Sequence, residues 1–185
     1  LEVLNTTHIE DIFIHSNVEI GEPSNIREVD KRGNLVNTRQ VDIKSEITLN
    51  NIQDNTRVIQ YIKKKDEEDY KVLGESILSD LNTKLSFNKE GIELWDIDNP
   101  VLYDIKTLIL VNDQEIDNKI TRVGFRKGVF KKDGFYLNNR KVKIRGLNRH
   151  QSYPYVGYAM PESMQKLDAD ILKYELGLNS VRTSH

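Results

Sequence analysis

The sequence predicts a mainly β chain, with an immunoglobulin-like two-sheet sandwich over residues 1–125 and then a hairpin and one β-α-β unit over residues 126–185. Three observations carry this. Short runs of alternating apolar residues, separated by polar turns, fill the first two thirds with no amphipathic helix among them. From Phe130 the pattern changes to a tight hairpin turning at Asn138-Asn139. The last fifth places one helix-period segment between two short apolar runs, each ending in a polar tip with His.

In order, His8-Ile-Glu-Asp-Ile-Phe-Ile14 opens as a strand, and Val41, Ile43, Ile47 and Leu49 keep period two with Ser45 as the one polar member. Arg57–Ile62 is a third strand, and Leu81, Thr83, Leu85 and Phe87 alternate again. Val101–Val111 is almost continuously apolar, as suits a strand buried on the sandwich's inner side and partly covered outside. Glu115–Arg126 returns as a last strand. Six or seven such strands argue for two packed sheets. Gly21–Thr38 has few apolar residues and reads as a long loop or exposed hairpin turning near Gly33-Asn34. The charge run Lys63–Asp69 reads as a solvated hairpin tip. Trp95 has the aromatic face of a sugar platform, but Leu94, Ile97, Leu102 and Tyr103 around Asn99-Pro100 favour a structural role.

Beyond the sandwich, Gly134–Leu137 and Lys141–Ile144 flank two Asn residues, a residue type that tolerates the left-handed conformations of a two-residue turn. The second arm either continues into Ile144-Arg-Gly-Leu-Asn or breaks at Gly146 to do so. Met160–Gly177 reads as a helix, with Pro161 suited to the first turn, Met164, Leu167, Ile171 and Tyr174 on one stripe, and Gly177 as the left-handed stop. Strand, helix, strand in this order implies a right-handed crossover and two parallel strands. His150 and His185 then fall at the same carboxyl edge.

Composition narrows the function. Twenty-seven basic against 29 acidic residues leave a formal net charge of −2, which gives no long-range pull on a nucleic acid or an anionic membrane. With no Cys, disulfides, thiolate metal sites and Cys nucleophiles are excluded, and chemistry must rest on His and carboxylates. No apolar run approaches the roughly 18 residues of a membrane helix, and no basic-then-apolar leader opens the sequence, so a cytoplasmic setting is the expectation. Asn5-Thr6-Thr7 fits a glycosylation sequon, which chance explains in a chain this rich in Asn and Thr.

Gly124-Phe125-Arg126, Arg145-Gly-Leu-Asn-Arg-His150, Tyr153-Pro154, Gly157-Tyr-Ala-Met160 and Asn179-Ser-Val-Arg-Thr-Ser-His185 together resemble the junction into the catalytic barrel of glycoside hydrolase family 2, most closely its β-galactosidases. Leu94-Trp95-Asp-Ile-Asp-Asn-Pro100-Val-Leu-Tyr103 is similar to the entry of the long strand in the immunoglobulin-like domain that precedes that barrel. The resemblance implies that residues 126–185 begin a (β/α)8 TIM barrel, with the hairpin as its bottom lid. A whole barrel needs roughly 250 residues, so the chain is expected to be a piece of a longer enzyme.

Retaining glycosidases use two carboxylates roughly 5 Å apart, one as proton donor and one as nucleophile. The resemblance places both as Glu on later strands, so no catalytic residue is assigned in this chain; Asp168, Asp170 and Glu175 lie on the outer helix. It implies instead a substrate shell. His150 and His185 would contact the galactosyl ring and steady the transition state, while Arg182 and Asn148 would orient carboxylates and hydroxyls at the pocket floor. Many β-galactosidases carry Glu after the first His; here it is Gln151, which argues against an acidic or metal-linked role at that position. No metal or other cofactor is assigned to these residues, and any Mg or Na of the parent would be held by segments not present. The expected partner is a β-galactoside, with no nucleic acid and no membrane, and the piece itself is expected to self-associate. β-Glucuronidase or β-mannosidase activity on the same scaffold is the alternative, and so is a non-catalytic immunoglobulin-like module that binds carbohydrate or protein. Residues 126–185 discriminate against the module, which has no need of them.

Overall fold

The computed structural model describes residues 4–19, 28–29, 35–36 and 38–183. They form two compact units, Leu1–Gly128 with Leu137–Asn139, and Val129–Tyr136 with Arg140–His185.

The first unit is an antiparallel sandwich. Its strands are β1 (Ile9–Glu19), β2 (Glu28–Val29), β3 (Leu35–Val36), β4 (Thr38–Leu49), β5 (Thr56–Lys64), β6 (Lys71–Ile77), β7 (Asn82–Glu93), β8 (Tyr103–Val111) and β9 (Gln114–Val123). One sheet has the order β1-β4-β7 and the other β6-β5-β8-β9. The short pair β2-β3 is antiparallel, as a hairpin requires, while Gly33 and Asn34 lie outside the described residues. The expected strands all form, and the charge run Lys63–Asp69 spans the end of β5 and most of its connection to β6. β6 is the strand the sequence pattern does not announce: Lys-Val-Leu-Gly-Glu-Ser-Ile sits at a sheet edge and has Gly74 at its centre. That glycine is needed, because a Cβ there would stand 2.2 Å from Cε1 of Phe87.

Period two decides which side chains the sheets share. Val18, Val41, Ile43, Ile62, Tyr103 and Ile105 pack into one cluster, and Ile12, Ile47, Leu49, Val58, Leu85 and Ile109 into a second. Each draws on both sheets, which is what closes the sandwich. On β8, Leu108 and Leu110 point to the other face and are also buried, so this strand is covered on both sides as its apolar run implies. The β8–β9 turn uses Asn112 and Asp113 at φ 50° and 64°, a two-residue hairpin of left-handed residues.

At the sandwich's end, Phe125 is buried and tilted against Tyr103 at 5.3 Å between ring centroids. Gly124 leaves the space that Trp95 fills; a Cβ there would come within 2.9 Å of the indole Cδ1. The Arg126 guanidinium lies 5.2 Å from the Trp95 ring centroid, and the Asn138 amide donates to the Trp95 carbonyl at 2.9 Å. Trp95 is thus tied into the structure, half-buried rather than in the core. Burial of the Tyr103 phenol pushes its pKa up to about 12, while its oxygen accepts a hydrogen bond from the Glu93 N–H at 2.9 Å. Next to it, the Arg122 guanidinium bonds both oxygens of Asp104 at 2.8 and 3.2 Å and holds that carboxyl below its usual range.

The chain continues through β10 (Gly128–Lys131), β11 (Gly134–Leu137) and β12 (Arg140–Val142), paired in that order and falling mostly in the second unit. Asn138 and Asn139 turn at φ 49° and 65°, as the hairpin reading requires. β12 ends at Val142 and β13 (Gly146–Arg149) starts afresh, so the arm breaks over residues 143–145, just ahead of Gly146. The helix α1 (Glu162–Asp170) follows, passes into a π-helical turn at Ile171–Glu175 and leads to β14 (Ser180–Thr183). Pro161 takes the N-cap position at φ −69°, ψ 160°, and Gly177 stops the helix at φ +62°.

The two-sheet core makes a direct prediction. Ile109→Ala, at a fully buried site, should destabilise the chain by about 2–5 kcal/mol in urea unfolding. Ile120→Ala, on the open outer face, should shift stability by less than about 0.5 kcal/mol. Equal effects would contradict the assignment of the inner face.

Candidate functional site

The residues that could carry chemistry converge on the carboxyl edge of β13 and β14. These strands pair in parallel with Gly146 opposite Ser180, Leu147 opposite Val181, Asn148 opposite Arg182 and Arg149 opposite Thr183. Asn148 and Arg182 are therefore level neighbours. His150 follows β13 by one residue and is exposed. His185 lies outside the described residues. Of the four shell residues expected from the sequence, three are thus gathered at one sheet edge.

What fixes this register is not evident from the sequence. The Asn179 side chain reaches across to the first strand, accepting from the Arg145 N–H at 2.8 Å and donating to the Lys143 carbonyl at 3.0 Å. In return the N–H groups of Asn179 and Ser180 donate to the Arg145 carbonyl at 3.0 and 3.1 Å. Asn179 in effect adds a side-chain rung to the ladder just before pairing begins. Gly146 is the other requirement. The Ser180 carbonyl oxygen would stand 2.5 Å from a Cβ at that position, and a backbone atom cannot swing away as a side chain can. The signals are present, a Gly and an Asn opening the two strands, but only the register gives them meaning.

Alternation along β13 assigns the faces. Arg149 turns toward α1, where its Nε and Nη2 donate to Asp168 Oδ2 at 3.0 and 2.7 Å and Nη2 donates to Gln165 Oε1 at 2.7 Å. Its side chain is only 17% exposed. This charge-assisted contact, two N–H groups on one carboxylate oxygen, fastens the helix to the strand. It also gives Asp168 a structural partner, in keeping with its place on the outer helix. Asn148, one residue earlier, faces away from that clamp. The connection from His150 to α1 is pinned by a Tyr153–Gly157 bridge, with Tyr155 at φ 72° and Gly157 at φ +56°, before Met160 buries.

The site as described offers hydrogen-bond donors and a guanidinium, but no pair of converging carboxylates. Among the described residues no three His, Asp or Glu side chains gather as metal ligands. Neutral and cationic donors at an open strand edge suit hydroxyls and a carboxylate.

Comparison with known proteins agrees with this geometry. Residues 7–126 match the family model for glycosyl hydrolases family 2, and residues 129–185 match the model for the TIM barrel domain of the same family. A β-galactosidase of Thermoanaerobacterium thermosulfurigenes is 64% identical over 105 residues, covering 54% of this chain and 14% of that protein. A β-galactosidase of Thermoanaerobacter pseudethanolicus is 36% identical across 100% of this chain and 23% of its own length. A putative β-glucuronidase of Formosa agariphila is 32% identical over 81% of this chain and 18% of its length. The chain therefore spans between a seventh and a quarter of these relatives. In three dimensions it is similar to a family 2 glycosyl hydrolase of Bacteroides cellulosilyticus, with a TM-score of 0.75 at 21% identity, over 98% of this chain and 22% of that one. The two family matches, end to end across the sandwich and the β-α-β unit, show that this chain belongs to glycosyl hydrolases family 2.

Proposed function

We propose that this chain is part of a retaining glycosidase that cleaves terminal β-D-galactosides, to which it contributes a sandwich domain over residues 1–125 and the first β-α-β unit of the catalytic barrel over residues 126–185. The observation that carries this reading is the parallel register that sets Asn148 beside Arg182, with His150 one residue past the edge. In barrel enzymes this edge is where chemistry occurs. The β-galactosidase relative at 64% identity supports galactoside as the sugar. The acid and the nucleophile belong to Glu residues outside this chain. Here Asn148, His150, Arg182 and His185 form part of the shell that holds the sugar. A His ring nitrogen that accepts a hydrogen bond from a ring hydroxyl binds more tightly as positive charge develops on the sugar and makes that O–H a stronger donor, which lowers the barrier rather than merely the Michaelis constant. Arg182 would orient a carboxylate of the catalytic pair.

β-Glucuronidase activity is the second reading, favoured by the Formosa agariphila relative. A uronic acid places a carboxylate where galactose has a hydroxymethyl group, so comparing nitrophenyl β-galactoside with nitrophenyl β-glucuronide in the full-length protein separates the two.

In the full-length protein, His150→Phe should lower kcat for the first bond cleavage by about 2–4 kcal/mol of barrier while leaving the fold intact. Unchanged kinetics would remove His150 from the shell.

The isolated 185-residue chain should show no hydrolysis of its own, because it lacks both carboxylates. It should also self-associate. Leu147, Leu167 and Tyr174 stand 53, 48 and 77% exposed, more apolar surface than two open strands and one helix can cover, and a two-fold dimer is the simplest cover. Light scattering that shows a monomer at high concentration, or turnover that survives repurification, would contradict this.

A further inference from the structure

The inner face of the sandwich is not apolar throughout. Along β4 its row reads Val41, Ile43, Ser45, Ile47 and Leu49; along β5 it reads Val58, Gln60 and Ile62; along β8 it reads Ile105, Thr107 and Ile109. Ile43, Ile62 and Ile105 belong to one apolar cluster, and Ile47, Val58 and Ile109 to the other. Ser45, Gln60 and Thr107 therefore occupy one level, at the boundary between the clusters. All three are completely buried.

This level is only partly satisfied. Gln60 Nε2 donates to Thr107 Oγ1 at 2.8 Å, across the β5–β8 register that pairs the two residues. Gln60 Oε1 and Ser45 Oγ have no partner among the described residues. Exchanging the amide's oxygen and nitrogen only moves the deficit to the other atom. Such groups, buried and beyond direct reach of each other, are the ones water bridges. Ser45 also stands where its row otherwise carries Val, Ile or Leu, so its side chain is smaller than its neighbours' by one or two heavy atoms. A void lined by polar atoms holds water, whereas an apolar one stays dry.

We propose that the sandwich encloses one structural water at this level, donating to Gln60 Oε1 and bonded to Ser45 Oγ, with the Thr107 hydroxyl as its third partner. Three bonds are typical of a buried water. This one joins the facing sheets at mid-core, where side-chain packing is interrupted. Oxygen-17 relaxation dispersion on the 185-residue chain counts long-lived buried waters directly and is blind to hydroxyl proton exchange. The expected result is a dispersion in the wild type and, in Ser45→Val, an amplitude lower by one long-lived water. Gln60→Leu should give the same loss and serves if the first variant does not fold. A wild-type chain with no dispersion, or an amplitude unchanged by the substitution, overturns the proposal.

Discussion

The candidate site depends on one side-chain bridge. Asn179, at the head of β14, bonds the N–H of Arg145 and the carbonyl of Lys143, at the two ends of Lys143–Arg145, where the chain leaves the hairpin and starts β13. Two short parallel strands of four residues each have little of their own to specify alignment. Parallel pairs are slightly weaker per residue than antiparallel ones, and a slip of one residue turns every side chain to the opposite face. The Asn179 bridge and the close approach of Gly146 to the Ser180 carbonyl remove that freedom. Once the register is set, Asn148 and Arg182 must be neighbours, His150 must stand at the rim, and Arg149 must face the helix, where Asp168 and Gln165 receive it.

The sandwich is built on a different logic. Its two sheets meet through long alternating strands whose inner residues interlock in two apolar clusters, so register is enforced many times over. That redundancy lets it carry a polar level at mid-core without losing the fold. It also lets Gly74 and Gly124 sit under Phe87 and Trp95, where rings replace missing side chains. The Gly-Phe-Arg run that resembles the family motif thereby acquires physical roles: space for the indole, a buried ring against Tyr103, and a guanidinium over the indole face.

Most strands are legible in the sequence because alternation and β-branched residues report burial directly. The hairpin turn at Asn138-Asn139 and the stop at Gly177 are legible because left-handed backbone restricts residue choice. β6 is not, since an edge strand with a central Gly has no inner row long enough to show a period. The apolar spacing of the helix implies one α segment, yet its last turn is π-helical, with the Leu176 N–H donating to the Ile171 carbonyl at 3.0 Å; that widening leaves no mark on the spacing. At the site, the motif residues can be named from the sequence, but Asn179 and Arg149 act through contacts 34 and 19 residues away along the chain. Only the folded register reveals such pairs.

Amide hydrogen exchange on Asn179→Ala tests most directly the claim that this bridge sets the strand pair. The expected result is that Arg145, Asn179 and Ser180 lose protection together while amides of β5 and β8 keep theirs. Unchanged protection at Arg145 and Ser180 would mean that backbone pairing alone holds the register, and would contradict a central role for the Asn179 side chain.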